Sequence, residues 1–149
     1  MIDMPTMKTI QAQAQMGEGF RVNVSARGHE LVIDQPKMGG GEDTGPTPLE
    51  YVLFALGGCI CSISRIVAKQ KGITLRGVSV ALSGDLDVDG LLGNEGAARV
   101  GFQGFKAEVS LDADMTPAEK EAFLHEVDAR CPISENLLTT TPVEVVLVA

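Results

Sequence analysis

Between positions 8 and 34, apolar and polar residues alternate in short blocks separated by tight connections. Lys8 to Gln15 runs into a turn at Met16-Gly17-Glu18-Gly19, Phe20 to Ala26 runs into Arg27-Gly28, and Glu30 to Asp34 closes the series. Period-two alternation broken by glycine-bearing turns predicts an antiparallel meander of three strands. Residues 36–47 carry Pro36, consecutive glycines at 39–41, Gly45 and Pro46. They read as a loop, with the glycines expected to form a flap over the start of the next element.

From Thr47 the period changes. Thr47-Pro48-Leu49-Glu50 has the form of a capping box, with the Thr47 hydroxyl on the N3 amide, Pro48 at N1 and Glu50 reaching back. Apolar residues continue to Val67 and Gly72 ends the run. This predicts a helix over 48–71, about 36 Å long at 1.5 Å per residue. Alternation returns over 74–89 and 98–112, on either side of a Gly/Asn-rich connection. A second capping box, Thr116-Pro117-Ala118-Glu119, opens a helix ending near Arg130. Cys131-Pro132 begins a short helical turn through Leu138, and residues 142–149 predict a final strand. The order β-β-β-α-β-β-α-(α)-β points to an α+β fold rather than a parallel α/β one. A chain of 149 residues is expected to form a single domain, 1–149.

Charge excludes some partners. The formal net charge is -8 and no basic cluster occurs, so neither nucleic acid nor an anionic membrane surface is an expected partner. Residues 1–20 lack the charged and continuous apolar regions of a secretory peptide. The longest apolar stretch, Tyr51 to Ile63, is broken by Gly57 and Gly58 and falls short of the roughly 20 residues that span a bilayer. A cytoplasmic protein is expected. Its three cysteines are then buried thiols, metal ligands or redox groups rather than a disulfide framework.

On a helix over 48–71, the residues Val52, Ala55, Leu56, Ile63 and Ile66 fall within roughly 60° of Cys59, so that thiol is expected on the apolar face. Cys61 lies about 200° away, and the two cannot pair or share a metal while the helix persists. Gly57 and Gly58 cost a helix interior about 2 kcal/mol together, which implies either close packing against another helix or space beside the thiol for a substrate. Cys131 precedes a proline well placed at N1, so its sulfur would cap a helix at the positive end of the dipole, where negative charge is favoured. Taken singly, each cysteine could equally be a small buried hydrophobe.

The segment from Gly45 to Cys59 (GPTPLEYVLFALGGC), followed by Cys131-Pro132-Ile133-Ser134, resembles the OsmC/Ohr family of osmotically inducible and organic-hydroperoxide-resistance proteins. The resemblance extends to the order of elements over nearly the whole chain and is closer to the broad OsmC-like branch. It implies an intertwined homodimer, with antiparallel sheets packed on a long central helix that bears the cysteine. It also implies thiol-dependent reduction of organic hydroperoxides. Cys59 would be the peroxidatic thiolate and become a sulfenic acid, Cys131 would resolve it to a disulfide, and an external dithiol would reset the pair. The peroxidases carry an activating Arg in the first hairpin. Here that turn reads Met16-Gly17-Glu18-Gly19, and Arg21 and Arg27 are the nearby candidates. Glu50 occupies the position of the family's acidic partner, although the capping box also accounts for it. Two other functions share the same thiols: an OsmC-like protein that binds an apolar small molecule, and a redox sensor.

Other motifs carry less. Asp85-Leu86-Asp87-Val88-Asp89-Gly90 mimics the start of an EF-hand loop, but position 12 is Gly96, and alternating Asp on the solvent face of a strand explains it. The glycines at 39–41 lack the Lys-Ser/Thr of a phosphate loop. His29 and His125 read as surface residues, and opposed cysteines do not make a zinc site. No metal or cofactor is expected, and Cys61 is expected to pack as a bystander.

Overall fold

The computed structural model describes residues 5–148, which fall into two compact units, one up to Tyr51 and one from Val52. The N-terminal unit holds strands β1 (Gln13–Met16), β2 (Val22–Ala26) and β3 (His29–Ile33) in one antiparallel sheet of order β1-β2-β3. Val24 faces Ala14 on one side and Leu31 on the other. Arg27 and Gly28 both take left-handed backbone, φ 52° and 84°, as a two-residue hairpin turn matched to strand twist requires. The meander is as expected, but β1 begins at Gln13 rather than Lys8. Gln13 pairs with Ser25, so residues before Ala12 would need partners beyond Ala26, where β2 has already turned.

The segment after β3 is pinned rather than a free flap. Asp34 is buried and accepts the N–H groups of Gln35 (2.8 Å), Glu42 (3.3 Å) and Thr44 (3.0 Å) and the Thr44 hydroxyl (2.7 Å). The Thr44 hydroxyl, then its amide, pull the Asp34 carboxyl down to about 2. A single 3₁₀ turn at Lys37–Gly39 lies within the loop.

Helix α1 (Pro48–Lys71) opens on the expected capping box. The Glu50 carboxylate accepts the Thr47 N–H at 2.7 Å, and the Glu50 N–H donates back to the Thr47 hydroxyl at 3.3 Å. Gly72, at φ 68°, ends the helix, and the Ile73 N–H closes onto the Ala68 carbonyl at 2.9 Å, a Schellman-type stop. By length and composition alone α1 could cross a bilayer, contrary to the short-stretch expectation. Its buried residues Leu56, Ile60, Val67 and Ala68 instead belong to the core of the C-terminal unit.

That unit adds strands β4 (Leu75–Asp85) and β5 (Gly104–Ala113), paired antiparallel with Val80 opposite Val109. A bulge between Leu75 and Gly77 shifts the phase, so Leu75 and then Val78, Val80 and Leu82 all contribute to the core with Val109, Leu111 and Ala113. Helix α2 (Val88–Leu92) follows β4. The expected strand through Asp89 therefore ends at Asp85, because the Asp87 carboxylate accepts the Asp89 N–H and caps this helix instead of lying along a strand. β5 starts six residues later than expected, at Gly104.

Helix α3 (Pro117–Ala129) carries the second capping box and packs Phe123 and Val127 into the core. Arg130 ties it to α1 through Gln70 (2.9 Å), beside a Lys71–Glu126 ion pair. Helix α4 (Pro132–Leu138) ends the regular structure. The strand expected over 142–149 is absent from the described residues to Val148, and Ala149 lies outside them. Val143, Val145, Leu147 and Val148 are 82–100% exposed. Their alternation is that of a strand, but a strand exists only by pairing, and this segment has no ladder partner among the described residues.

Candidate functional site

The stripe of α1 buried in the chain runs through Leu56, Gly57, Ile60, Ser64, Val67 and Ala68. Its centre is about 120° round the helix from Cys59. Cys59 therefore sits at the margin of the buried stripe, half-buried, on an apolar face that was expected to meet the core or a partner. On its far side Ala55 is exposed and Ile66 is 43% exposed. The apolar face predicted from the sequence is real, but this chain covers only part of it.

The two glycines before the thiol have different surroundings. A Cβ on Gly57 would stand 2.6 Å from Leu82 Cδ1 of β4, whereas one on Gly58 meets nothing within 4 Å. The close approach is thus of helix to sheet, not helix to helix, and open space lies at the residue adjoining Cys59.

Cys131 is buried and caps α4, as its position before Pro132 suggested. Its Sγ donates to Cys59 Sγ across 2.8 Å, both cysteines being free thiols. A disulfide needs about 2.05 Å, so the sulfurs are within about 0.8 Å of bonding distance. Two amides of the first turn of α4 hold the pair. The Ile133 N–H donates to Cys59 Sγ, and the Ser134 N–H donates to Cys131 Sγ at 3.4 Å. The Ser134 donor is the one the expected cap at Cys131 implies, whereas the Ile133 donor to Cys59 was not foreseen, although Pro132 at N1 signals that the next two N–H groups lack helical partners. Cys61, also half-buried, takes no part in this contact.

Burial pushes the Cys59 thiol up, the hydrogen bond from Cys131 adds to it, and the Ile133 N–H opposes both. In the C-terminal unit no Lys or Arg side chain is hydrogen-bonded to either sulfur among the described residues. A thiolate at Cys59 thus needs a cation to offset its burial. Arg21 lies just before β2 and Arg27 in the β2–β3 turn, both in the N-terminal unit. The Glu50 carboxylate is held down by the Thr47 N–H and then the Thr47 hydroxyl (2.9 Å), and so is engaged in capping α1.

A cavity of about 380 Å³ adjoins the thiols. Leu56 and Ile60, on the buried side of Cys59 on α1, and Ser134, whose amide meets Cys131 Sγ, line it, together with Phe102, Phe105 and Leu137. Neither sulfur is itself a wall. Arg99 and Asp128 bring one charge of each sign to an otherwise mostly apolar lining. A larger hollow of about 540 Å³ at the C-terminal end of α1 is lined by Lys71, Asp114 and Glu119, well along the helix from the thiols. The smaller one has the chemistry. Two apposed thiols, amide donors and an adjoining apolar cavity suit a two-electron thiol–disulfide cycle on an apolar substrate.

Comparisons with known proteins bear on family and fold. A family model described as OsmC-like protein matches residues 40–146. The chain is similar in structure to an OsmC-like protein from Mycoplasma pneumoniae, with 19% identity, 91% of each chain covered and a TM-score of 0.78. It is also similar to an organic hydroperoxide resistance protein OsmC from Legionella pneumophila, with 24% identity, 89% of this chain and 91% of that one covered, and a TM-score of 0.59. An organic hydroperoxide resistance protein from Elizabethkingia anophelis, crystallised with thiocyanate bound, shares 20% identity over 92% of this chain and 93% of that one, with a TM-score of 0.65. At these identities the structural likeness is one of fold. No curated protein matches the chain.

Proposed function

Since the chain belongs to the OsmC-like protein family, we propose that it is a thiol-dependent peroxidase that reduces organic hydroperoxides through Cys59 and Cys131. The observation that carries this reading is the 2.8 Å contact of two free thiols beside a mostly apolar cavity. Cys59 is the more exposed sulfur and is the one a peroxide reaches; Cys131 is 1% exposed. The Cys59 thiolate attacks the outer peroxide oxygen, the O–O bond breaks, and the alkoxide leaves as the alcohol after taking up a proton. Cys59 is then a sulfenic acid. The Cys131 sulfur attacks it, the S–S bond forms, and the S–O bond breaks to release water, which takes the Cys131 proton. An external dithiol reduces the disulfide by exchange.

Arg21 or Arg27 supplies the activating cation in this reading, and Glu50 is the acidic group whose catalytic share is open to test. The working unit is a homodimer. A second copy accounts for the uncovered apolar side chains at Ala55, Ile66 and Val143 to Val148. A reducing cytoplasm keeps the thiols ready.

The test is dithiothreitol-driven turnover of cumene hydroperoxide beside hydrogen peroxide. The organic peroxide should be consumed at least tenfold faster, and Cys59→Ser should abolish it. Turnover no faster than that of free dithiothreitol removes the peroxidase reading. The upward push on Cys59 favours a second reading, in which the cavity binds an apolar small molecule without turnover. That reading predicts saturable ligand binding that survives Cys59→Ser.

A further inference from the structure

Helix α4 is seven residues long, buries none of them fully and packs only Ile133 against the core, so neither intrinsic helicity nor core packing alone fixes its orientation. Yet its first turn presents one amide to each sulfur. One residue at the end of α3 supplies the anchor. The Asp128 carbonyl accepts the Cys131 N–H at 3.1 Å, and its carboxylate Oδ1 accepts the Ser134 hydroxyl at 2.7 Å. Asp128 thereby holds the backbone of Cys131 and, three residues later, the turn whose amides face the thiols. Both Asp128 and Ser134 also line the cavity beside Cys59.

We propose that Ser134, held by Asp128, is the positioning residue for the resolving thiol, keeping Cys131 against Cys59 so that disulfide closure requires no local unfolding. The assignment rests on the thiol-pair reading above and names what keeps that pair together. Neither side chain exchanges a proton or bond with substrate. The Ser134 hydroxyl fixes the pitch of the first turn, and that turn fixes where the Ile133 and Ser134 amides and the Cys131 sulfur lie. Losing the hydroxyl frees α4 to swing about the two-residue joint at Arg130-Cys131 and lowers the effective concentration of one thiol at the other.

The full-length chain tests this with two pairs of variants. Ser134→Ala and Asp128→Ala delete the bond, whereas Ser134→Thr keeps a hydroxyl and Asp128→Asn keeps an acceptor. The first readout is the Cys59–Cys131 disulfide equilibrium in glutathione redox buffers, which needs no peroxide. Both deletions should lower that equilibrium constant about tenfold, within the scale of one ordinary intramolecular hydrogen bond, and both conservative variants should stay within about twofold of the parent. The second readout is Cys59 sulfenic acid trapped by dimedone after one equivalent of cumene hydroperoxide, which should rise in the deletions alone. An unchanged equilibrium in Ser134→Ala overturns the proposal. Equal loss in Asp128→Asn and Asp128→Ala also overturns it, because a carboxylate needed for its charge is acting as a base rather than an anchor. Should Ser134→Ala lose helix by circular dichroism, the Asp128 pair decides alone. A chain that shows the tenfold shift but no peroxide turnover keeps this inference and loses the peroxidase reading.

Discussion

Replacing each of the two glycines before Cys59 by alanine should have opposite effects. In a helix interior either change gains about 1 kcal/mol, because alanine loses less backbone freedom on folding. At Gly58 an added Cβ meets nothing within 4 Å, so that gain should appear undiminished. At Gly57 the same Cβ would stand 2.6 Å from Leu82 Cδ1, where carbon atoms pack at about 3.5–4.0 Å. Leu82 must retreat by about 1 Å. Its methyl is the end of a flexible side chain and half-buried, so the overpacking cost belongs at about 1–3 kcal/mol rather than beyond it. Gly57→Ala should therefore be neutral to destabilising by about 2 kcal/mol, and should lie about 1–3 kcal/mol below Gly58→Ala. Urea unfolding of the reduced protein at one fixed protomer concentration measures both. Shortening the obstacle with Leu82→Val should recover Gly57→Ala, with a coupling energy of about 1 kcal/mol in the double-mutant cycle. Because α1 rests on β4 at Gly57, the same change should slow closure of the Cys59–Cys131 disulfide. Equal stabilisation by the two alanines would refute the claim that Gly57 sets the helix–sheet spacing. A loss at Gly58 would place a partner's surface in its open space.

Three further outcomes follow from the site and its supports. Removing the activating arginine leaves burial and Cys131 opposed only by the Ile133 amide, so the ionisation midpoint of Cys59, read by iodoacetamide alkylation against pH, should rise above the ordinary thiol value. If neither Arg21→Gln nor Arg27→Gln moves the profile, activation from the first hairpins is wrong. Glu50→Gln keeps a capping side chain and removes the charge, so stability should change by less than about 1 kcal/mol; peroxide turnover then decides whether Glu50 is more than a cap. Asp34 titrates at about 2 when folded and about 3.9 when unfolded. Its contribution is full above the unfolded value and is lost as pH falls towards 2. Amide protection of Glu42 and Thr44 should fall across that window and should be weak throughout in Asp34→Asn. Protection that holds between pH 4 and 2 would show that Asp34 does not pin the loop.

The parts of the fold legible in the sequence are those written locally. Both capping boxes, Thr47 with Glu50 and Thr116 with Glu119, form as expected, and Gly72 stops α1. So does the cap at Cys131, since Pro132 at N1 is a local signal. The parts that were not legible depend on distant partners. The alternation of Val143 to Val148 is strand-like, yet a strand needs a ladder partner and this segment has none among the described residues. The length of β1 was set by where β2 turns, not by its own residues. The Asp-rich run after β4 alternates like a strand, but Asp87 finds a nearer use as the cap of α2. The apolar face of α1 predicted a direction for Cys59, while the core rotated the buried stripe away from it. Nothing in the spacing of Cys59 and Cys131 says that they meet. That expectation came from resemblance, and the contact between the sulfurs is a property of the folded chain.

The most direct test of the account is a single turnover of the reduced protein with one equivalent of cumene hydroperoxide, quenched on the millisecond scale and read by mass spectrometry. The account predicts loss of both thiols, one equivalent of cumyl alcohol, and a Cys59–Cys131 disulfide. In Cys131→Ser the product should stop at a Cys59 sulfenic acid, and Cys61 should remain reduced throughout. Oxidation that falls first on Cys61 or Cys131, or a rate no greater than that of a free thiol at the same pH, would contradict it.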